Sequence, residues 1–287
     1  MTHIASKDIH ITCADQCKLA ASIFHPKGEL KGAVMIGPAT GIKRQFYGNF
    51  ARYLAEHGYG VITFDNRGIG GSLHGHVKQS DVTLQCWGEK DMPAVLQQLQ
   101  KSFPDCRYHL IGHSAGGQLV GLMPNANELS SMFNFASSSG CLRNMKLHHQ
   151  VKAHFFMNFF IPVTNRLFGY TKSHWVGMGE PLPKKVAKQW QTWCNGSGYV
   201  KMAFGTSVHK HLYHHLELPA MWLNATDDFI ANDKNVADML KVFTQMSAQT
   251  KTLNARDYNL NEIGHMKFFS QKSKQLWPYA TKWLDEH

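Results

Sequence analysis

Four short apolar runs in this chain each stop abruptly at a loop rich in glycine or serine, and that repetition restricts the fold more than any other feature. Gly32-Ala-Val-Met-Ile36 runs into Gly37-Pro-Ala-Thr-Gly41, and Gly60-Val-Ile-Thr-Phe64 into Asp65-Asn-Arg-Gly-Ile-Gly-Gly-Ser72. Tyr108-His-Leu-Ile111 runs into Gly112-His-Ser-Ala-Gly-Gly117, and Ser131-Met-Phe-Asn-Phe-Ala136 into Ser-Ser-Ser-Gly140. Runs this short and this apolar read as strands covered on both faces. Phe46, Phe50, Tyr53 and Leu54 recur at helical spacing from about Phe46 to His57, where Gly58 supplies a stop, and a second helix is expected from about Thr83 to Lys101. Strand, helix, strand in this order predicts an α/β fold with a mostly parallel central sheet and helices on both faces. Alternating residues in Asp8–Cys13 and Lys18–Phe24 predict a hairpin ahead of it.

After Gly140 the pattern breaks into an aromatic, histidine-rich stretch with Pro162, Pro181 and Pro183, and regular alternation resumes only at Pro219-Ala-Met-Trp-Leu-Asn224. A helix near Lys234 to Phe243 and a closing strand and helix complete the chain. The expected organisation is one core from residues 1–140 and 217–287, with 141–216 inserted into it. A length of 287 residues suits a single α/β domain carrying such an insert.

Composition removes several alternatives. With 43% apolar and 17% charged residues the chain has ample core material and no reason to be disordered. No apolar run reaches the roughly 18 residues of a membrane span, and Met1 to Lys7 lack the pattern of a secretory signal, so a cytoplasmic setting is expected. The six cysteines form no C-x-x-C pair; Cys13 and Cys17, flanking a turn, are expected to be reduced thiols. Lys and Arg number 30 against 20 Asp and Glu, a formal +10 that reads as dispersed, without like-charge blocks or interleaved aromatics. Nucleic-acid binding is therefore not expected, and a weak contact with an anionic membrane surface is.

The chemistry concentrates in Gly112-x-Ser114-x-Gly116, which stands between a strand and a helix. In that context the glycines permit a tight turn that lifts the Ser114 hydroxyl above the sheet. A neutral serine needs a base, and the base needs an orienting carboxylate. Downstream, in the order acid then histidine, stand Asp227-Asp228 and Ile263-Gly264-His265, both at loops on the carboxyl edge of the expected sheet. His265 is favoured among the 18 histidines, and Asp228 is favoured over Asp227, which is expected to cap the turn or the next helix. Two backbone N–H groups should meet a developing oxyanion: that of Ala115, and that of Ala39 or Thr40, since Pro38 has none.

These residues resemble the α/β-hydrolase superfamily over nearly the whole core, and Asp65-x-Arg67-Gly68-x-Gly70-x-Ser72 looks like the turn after its fourth strand. Pro38-Ala-Thr-Gly41, Gln189-Trp190-x-x-Trp193-Cys194, Asp227-Asp228-x-Ile230-Ala231 and Ile263-Gly264-His265 are similar to a bacterial group of predicted α/β hydrolases of unassigned substrate, akin to serine aminopeptidases and monoacylglycerol lipases. Gly37-Pro38 departs from the His-Gly that many lipase-type relatives carry there. The resemblance implies a Ser-Asp-His triad, a cytoplasmic bacterial setting and, for 141–216, a lid over the substrate pocket. Phe155, Phe156, Phe159 and Phe160 could line an acyl channel there, or pack the lid onto the core. His209, His211, His214 and His215 could share a helix face, but without cysteine or carboxylate partners no metal is expected.

The function expected is hydrolysis of a carboxylic ester or thioester, a small-molecule acyl substrate, through an acyl-enzyme on Ser114 and without a cofactor. Acyl transfer or peptide cleavage by the same residues, and ligand binding by an inactive relative, are the alternatives. Oligomeric state is not legible in the sequence.

Overall fold

The computed structural model describes residues 4–287. The chain opens with the antiparallel pair β1 (Ser6–Thr12) and β2 (Lys18–Phe24), joined by a turn in which the Cys13 amide donates to the Cys17 carbonyl at 2.8 Å. Both cysteines are free thiols. Then follow β3 (Gly32–Gly37), α1 (Gly48–Glu56) and β4 (Tyr59–Phe64). The next helix is a single run in three parts, α2 (Leu84–Cys86), a π-helical turn (Trp87–Asp91) and α3 (Met92–Ser102), leading to β5 (Tyr108–His113), the short α4 (Ala115–Gln118) and β6 (Ser131–Phe135).

From there the chain leaves the sheet. It runs through α5 (Leu147–Phe155), a π-helical turn (Phe156–Phe160), α6 (Ile161–Phe168), a small ladder of β7 (Tyr170–Thr171) with β8 (Leu182–Pro183), and α7 (Lys184–Cys194). It re-enters at β9 (Ala220–Ala225) and closes with α8 (Asp233–Leu240), β10 (Ala248–Leu253) and α9 (Pro278–Glu286).

The main sheet has eight strands in the order β1-β2-β4-β3-β5-β6-β9-β10, and from β4 to β10 every neighbouring pair is parallel. Of these eight strands β2 alone has the opposite direction, antiparallel to both β1 and β4. Successive side chains point to opposite faces of a strand, so β3 supplies Ala33 and Met35 to one core and Val34 and Ile36 to the other. The second core is closed by α1 and α9 through Phe50, Leu54, Trp283 and Leu284. The first takes α3 together with Met157, Ile161, Val186 and Trp193 from the excursion between β6 and β9, which thereby packs on the sheet's own apolar face.

The Asp65–Ser72 turn holds this frame together electrostatically. Asp65, fully buried, accepts from the Arg44 amide at 2.6 Å and its guanidinium at 2.7 Å. Arg67 reaches Asp91 in the π-helical turn and Asp15 in the first hairpin, tying three elements to one side chain. Removing one partner of such a pair strands the other as an uncompensated buried charge.

The four clustered histidines do not share a helix face. His209, His211, His214 and His215 lie on an irregular segment and not on a helix. His211 is stacked on Phe204 with ring centroids 3.9 Å apart, so aromatic packing and not helical phase sets its direction.

Candidate active site

Ser114 sits where β5 meets α4, with φ 50° and ψ −114°, a conformation side-chain-bearing residues adopt only under constraint. The constraint is visible on every side. A Cβ on Gly116 would lie 1.9 Å from the Gly37 carbonyl oxygen, so only glycine lets the two loops approach. The Ser114 amide donates to the Phe135 carbonyl, and the Ser114 carbonyl accepts from the Gln118 amide at 3.2 Å and the Ser137 hydroxyl at 2.9 Å. The side chain is half-buried, and its hydroxyl is bonded to no protein group among the described residues.

The two aspartates after β9 have different partners. Asp228 is 2% exposed; its Oδ1 accepts from the amides of Ile230 and Ala231 at 2.8 and 2.9 Å, and its Oδ2 faces His265 Nδ1 at 2.8 Å. Burial pushes the Asp228 carboxyl up, but the His265 imidazole and the two amides outweigh it and hold it below the usual carboxylate range. An ionised Asp228 keeps the proton on Nδ1 and leaves Nε2 as the basic atom of the ring. Asp227 instead accepts from the amides of Ile263 and Gly264 at 2.9 and 3.0 Å. It thus holds the loop that carries His265. The cap of α8, which Asp227 was a candidate to supply, comes from Asn232, whose side chain accepts from the Asn235 amide.

A buried chain of hydrogen bonds that the sequence reading did not anticipate links these parts. The Ala39 amide donates to Tyr47 Oη at 2.9 Å, Tyr47 Oη lies 2.9 Å from His113 Nδ1, and His113 Nε2 lies 2.9 Å from the His265 carbonyl. A carbonyl only accepts, so Nε2 carries the proton; Nδ1 is then bare and accepts the hydrogen bond that the tyrosine hydroxyl donates. Burial, aided by the neighbouring His265, depresses the His113 pKa to about 3 and keeps the ring neutral, as this chain requires. The loop after β3, the Ser114 elbow and the His265 loop are therefore held by one directional network. Its only sequence signal is a histidine and a tyrosine at otherwise apolar positions.

The same network treats the candidate amides differently. That of Ala39 is committed to Tyr47. The amides of Thr40 and Ala115 donate to no protein acceptor among the described residues. The four phenylalanines also divide. Phe156 and Phe160 are half-buried, with Phe156 edge-on to Trp190 at 5.8 Å, whereas Phe155 and Phe159 are 57% and 56% exposed and stack on each other in solvent. They do not form one lining, because Met157 and Ile161 define the inward side of that helix. Among the described residues no three His, Cys, Asp or Glu side chains are grouped to hold a metal ion.

Two buried histidines predict how stability depends on pH. His109, on β5, has its pKa lowered to about 4 and His113 to about 3, in both cases chiefly by burial. Both are neutral in the fold but take a proton in the unfolded chain below pH of about 6.5. Their contribution is therefore complete above that pH and is lost as pH falls towards the folded values, at about 1.4 kcal/mol per pH unit for each. Urea unfolding at about pH 6 and 5 should show the slope reduced by about 1.4 kcal/mol per unit in His109→Leu. An unchanged slope would mean that His109 is not held neutral.

Fold and site together define an α/β-hydrolase. Residues 28–187, more than half of the chain, match the family described as serine aminopeptidase, S33, and the chain belongs to that family. Its fold is shared by an esterase from Pyrococcus furiosus (15% identity, 99% of this chain and 93% of the other, TM-score 0.62). A soluble variant of monoglyceride lipase from Saccharomyces cerevisiae, solved with a substrate analogue, is similar over 100% and 96% of the two chains at 14% identity and TM-score 0.67. The esterase domain of a Rhodothermus marinus protein matches over 99% of both chains at 15% identity and TM-score 0.60. No curated protein is similar at the sequence level. Among the described residues no helix is long and apolar enough to cross a membrane.

Proposed function

We propose that this chain is a serine hydrolase that cleaves a carboxylic ester or thioester through an acyl-enzyme on Ser114. The observation that carries the reading is the anchored Asp228–His265 pair, tied through His113 to a strained serine elbow. Ser114 Oγ attacks the acyl carbonyl while His265 Nε2 takes its proton, and the Nδ1 proton stays on His265, donated to the Asp228 carboxylate, which stabilises the imidazolium. The amides of Ala115 and Thr40 receive the oxyanion, each such donor being worth about 3 kcal/mol in comparable sites. His265 returns the proton to the leaving alkoxide or thiolate. A water, deprotonated by the same nitrogen, then releases the acid and restores Ser114.

Residues 141–216 serve as the lid, with Phe156, Phe160 and Trp190 on its inner side as the apolar surface next to the acyl group. The family's description favours peptide cleavage as the second reading. An aminopeptidase must hold a substrate ammonium, and the only carboxylate side chain in that segment, Glu180, is already paired with Lys43 at 2.9 Å. Ester chemistry makes no such demand.

The test is intact-mass measurement after incubation with a fluorophosphonate. One adduct is expected on the wild type, mapped to Ser114, and none on His265→Ala. Labelling elsewhere would remove Ser114 from its role, and an unlabelled wild type that still binds acyl ligands would leave a binding protein. A panel of p-nitrophenyl esters and aminoacyl-anilides then separates the two hydrolytic readings.

A further inference from the structure

The formal charge that reads as dispersed along the chain is concentrated once the chain is divided at β6 and β9. Residues 141–216 hold ten of the thirty Lys and Arg but one of the twenty Asp and Glu, so nine of the ten excess positive charges sit there. The exposed apolar side chains follow the same division. Of the ten large hydrophobic residues that stand exposed among the described residues, eight lie in this segment.

Four of them form a row. Leu147, Val151, Phe155 and Phe159 are spaced by four along α5 and its π-helical continuation, and are 75%, 63%, 57% and 56% exposed. Residues four apart lie on one helix face, so this is a continuous stripe and not scattered exposure. Lys152 and Arg166 stand exposed on the same outer side, and no acidic residue occurs between Glu128 and Glu180. At the far end Trp175, 58% exposed, packs against Phe168 with the Lys172 ammonium 4.1 Å from its ring.

An apolar row flanked by cations, ending in an exposed Trp–Lys pair, has the make-up of a helix that lies in a bilayer interface. We propose that the outer face of Leu147–Phe168 docks this protein on an anionic lipid bilayer. A second copy of the chain is disfavoured as occupant because two faces each bearing this excess charge repel. An acidic protein would match the charge, but the large side chains stand outward on a convex helix face, and a bilayer accepts such a stripe without a complementary groove. The proposal is independent of the chemistry at Ser114.

Flotation with vesicles of phosphatidylcholine, with and without about one-third phosphatidylglycerol, tests it. Wild type and Ser114→Ala should float alike with the anionic vesicles and at least tenfold less with the neutral ones. The double change Phe155→Ser with Phe159→Ser removes two aromatic anchors and should weaken retention by tenfold or more. Lys152→Glu with Arg166→Glu should do so by roughly fivefold per charge removed. All four residues are exposed, and circular dichroism would verify that the variants fold. Equal retention on both vesicle types, or none on either, overturns the proposal. So does retention on polyglutamate beads that matches the vesicles and survives the serine changes, which would assign the face to an acidic protein.

Discussion

Replacing Ser114 with alanine should lower turnover of an activated ester by about a millionfold, the loss seen when a serine nucleophile is removed from a working triad. Fold stability should not suffer. Ser114 occupies φ 50°, and such strained positions cost about 1–3 kcal/mol in the folded state. Ser114→Gly should therefore abolish the same activity and, unlike most changes at a well-packed site, leave the protein as stable as the wild type or about 1 kcal/mol more so, as release of strain outweighs the added freedom of the unfolded chain. Urea unfolding of the three proteins beside their ester hydrolysis reads both effects. A Ser114→Gly protein clearly less stable than Ser114→Ala would show that the elbow is not strained. A Ser114→Ala protein with more than about a hundredth of wild-type turnover would remove Ser114 from the nucleophile's role.

Asp228→Asn should reduce kcat by about 10⁴, against less than about tenfold for Asp227→Asn. The asymmetry follows from what each carboxylate holds. Asp228 spends one oxygen on two backbone amides and the other on His265 Nδ1, so an asparagine there either presents an amide donor to the ring and favours the wrong tautomer, or turns that donor onto Ile230 and Ala231. Among the described residues Asp227 accepts only from Ile263 and Gly264, and an asparagine can keep one of those bonds. Because Asp228 is held below the ordinary carboxylate range, its protonation should not limit the rate at pH values above about 4. The pH–rate profiles of the wild type and of Asp227→Asn, both of which keep the Asp228 carboxyl, would check this, and equal losses of kcat at both positions would remove the distinction between them.

How much of this was legible in the chain follows the range of each signal. The apolar runs of residues 32–36, 60–64, 108–111 and 131–136 mark β3, β4, β5 and β6 to within about two residues, because burial on both faces and a glycine stop are local properties. The break after Gly140 and the return at Pro219 bracket the excursion between β6 and β9 for the same reason. Whether the histidines of 209–215 share a helix face was not legible, because a count of histidines carries no phase; the segment is irregular, and His211 is stacked against Phe204.

The amino-acid order alone therefore determined the class of fold, the strand that delivers Ser114, and the short menu of acids, histidines and amides around it. Tertiary structure decided among equals. Adjacent aspartates separate into one that meets His265 and one that braces its loop; Ala39 is withdrawn by Tyr47, and Thr40 is left free. Phe155 and Phe159 turn to solvent while Phe156 and Phe160 turn inward. Each of these depends on which group from a distant part of the chain arrives at hydrogen-bonding or van der Waals distance. Local periodicity and turn chemistry do not encode that meeting; it exists only once the sheet has brought the loops after β3, β5, β9 and β10 to one edge.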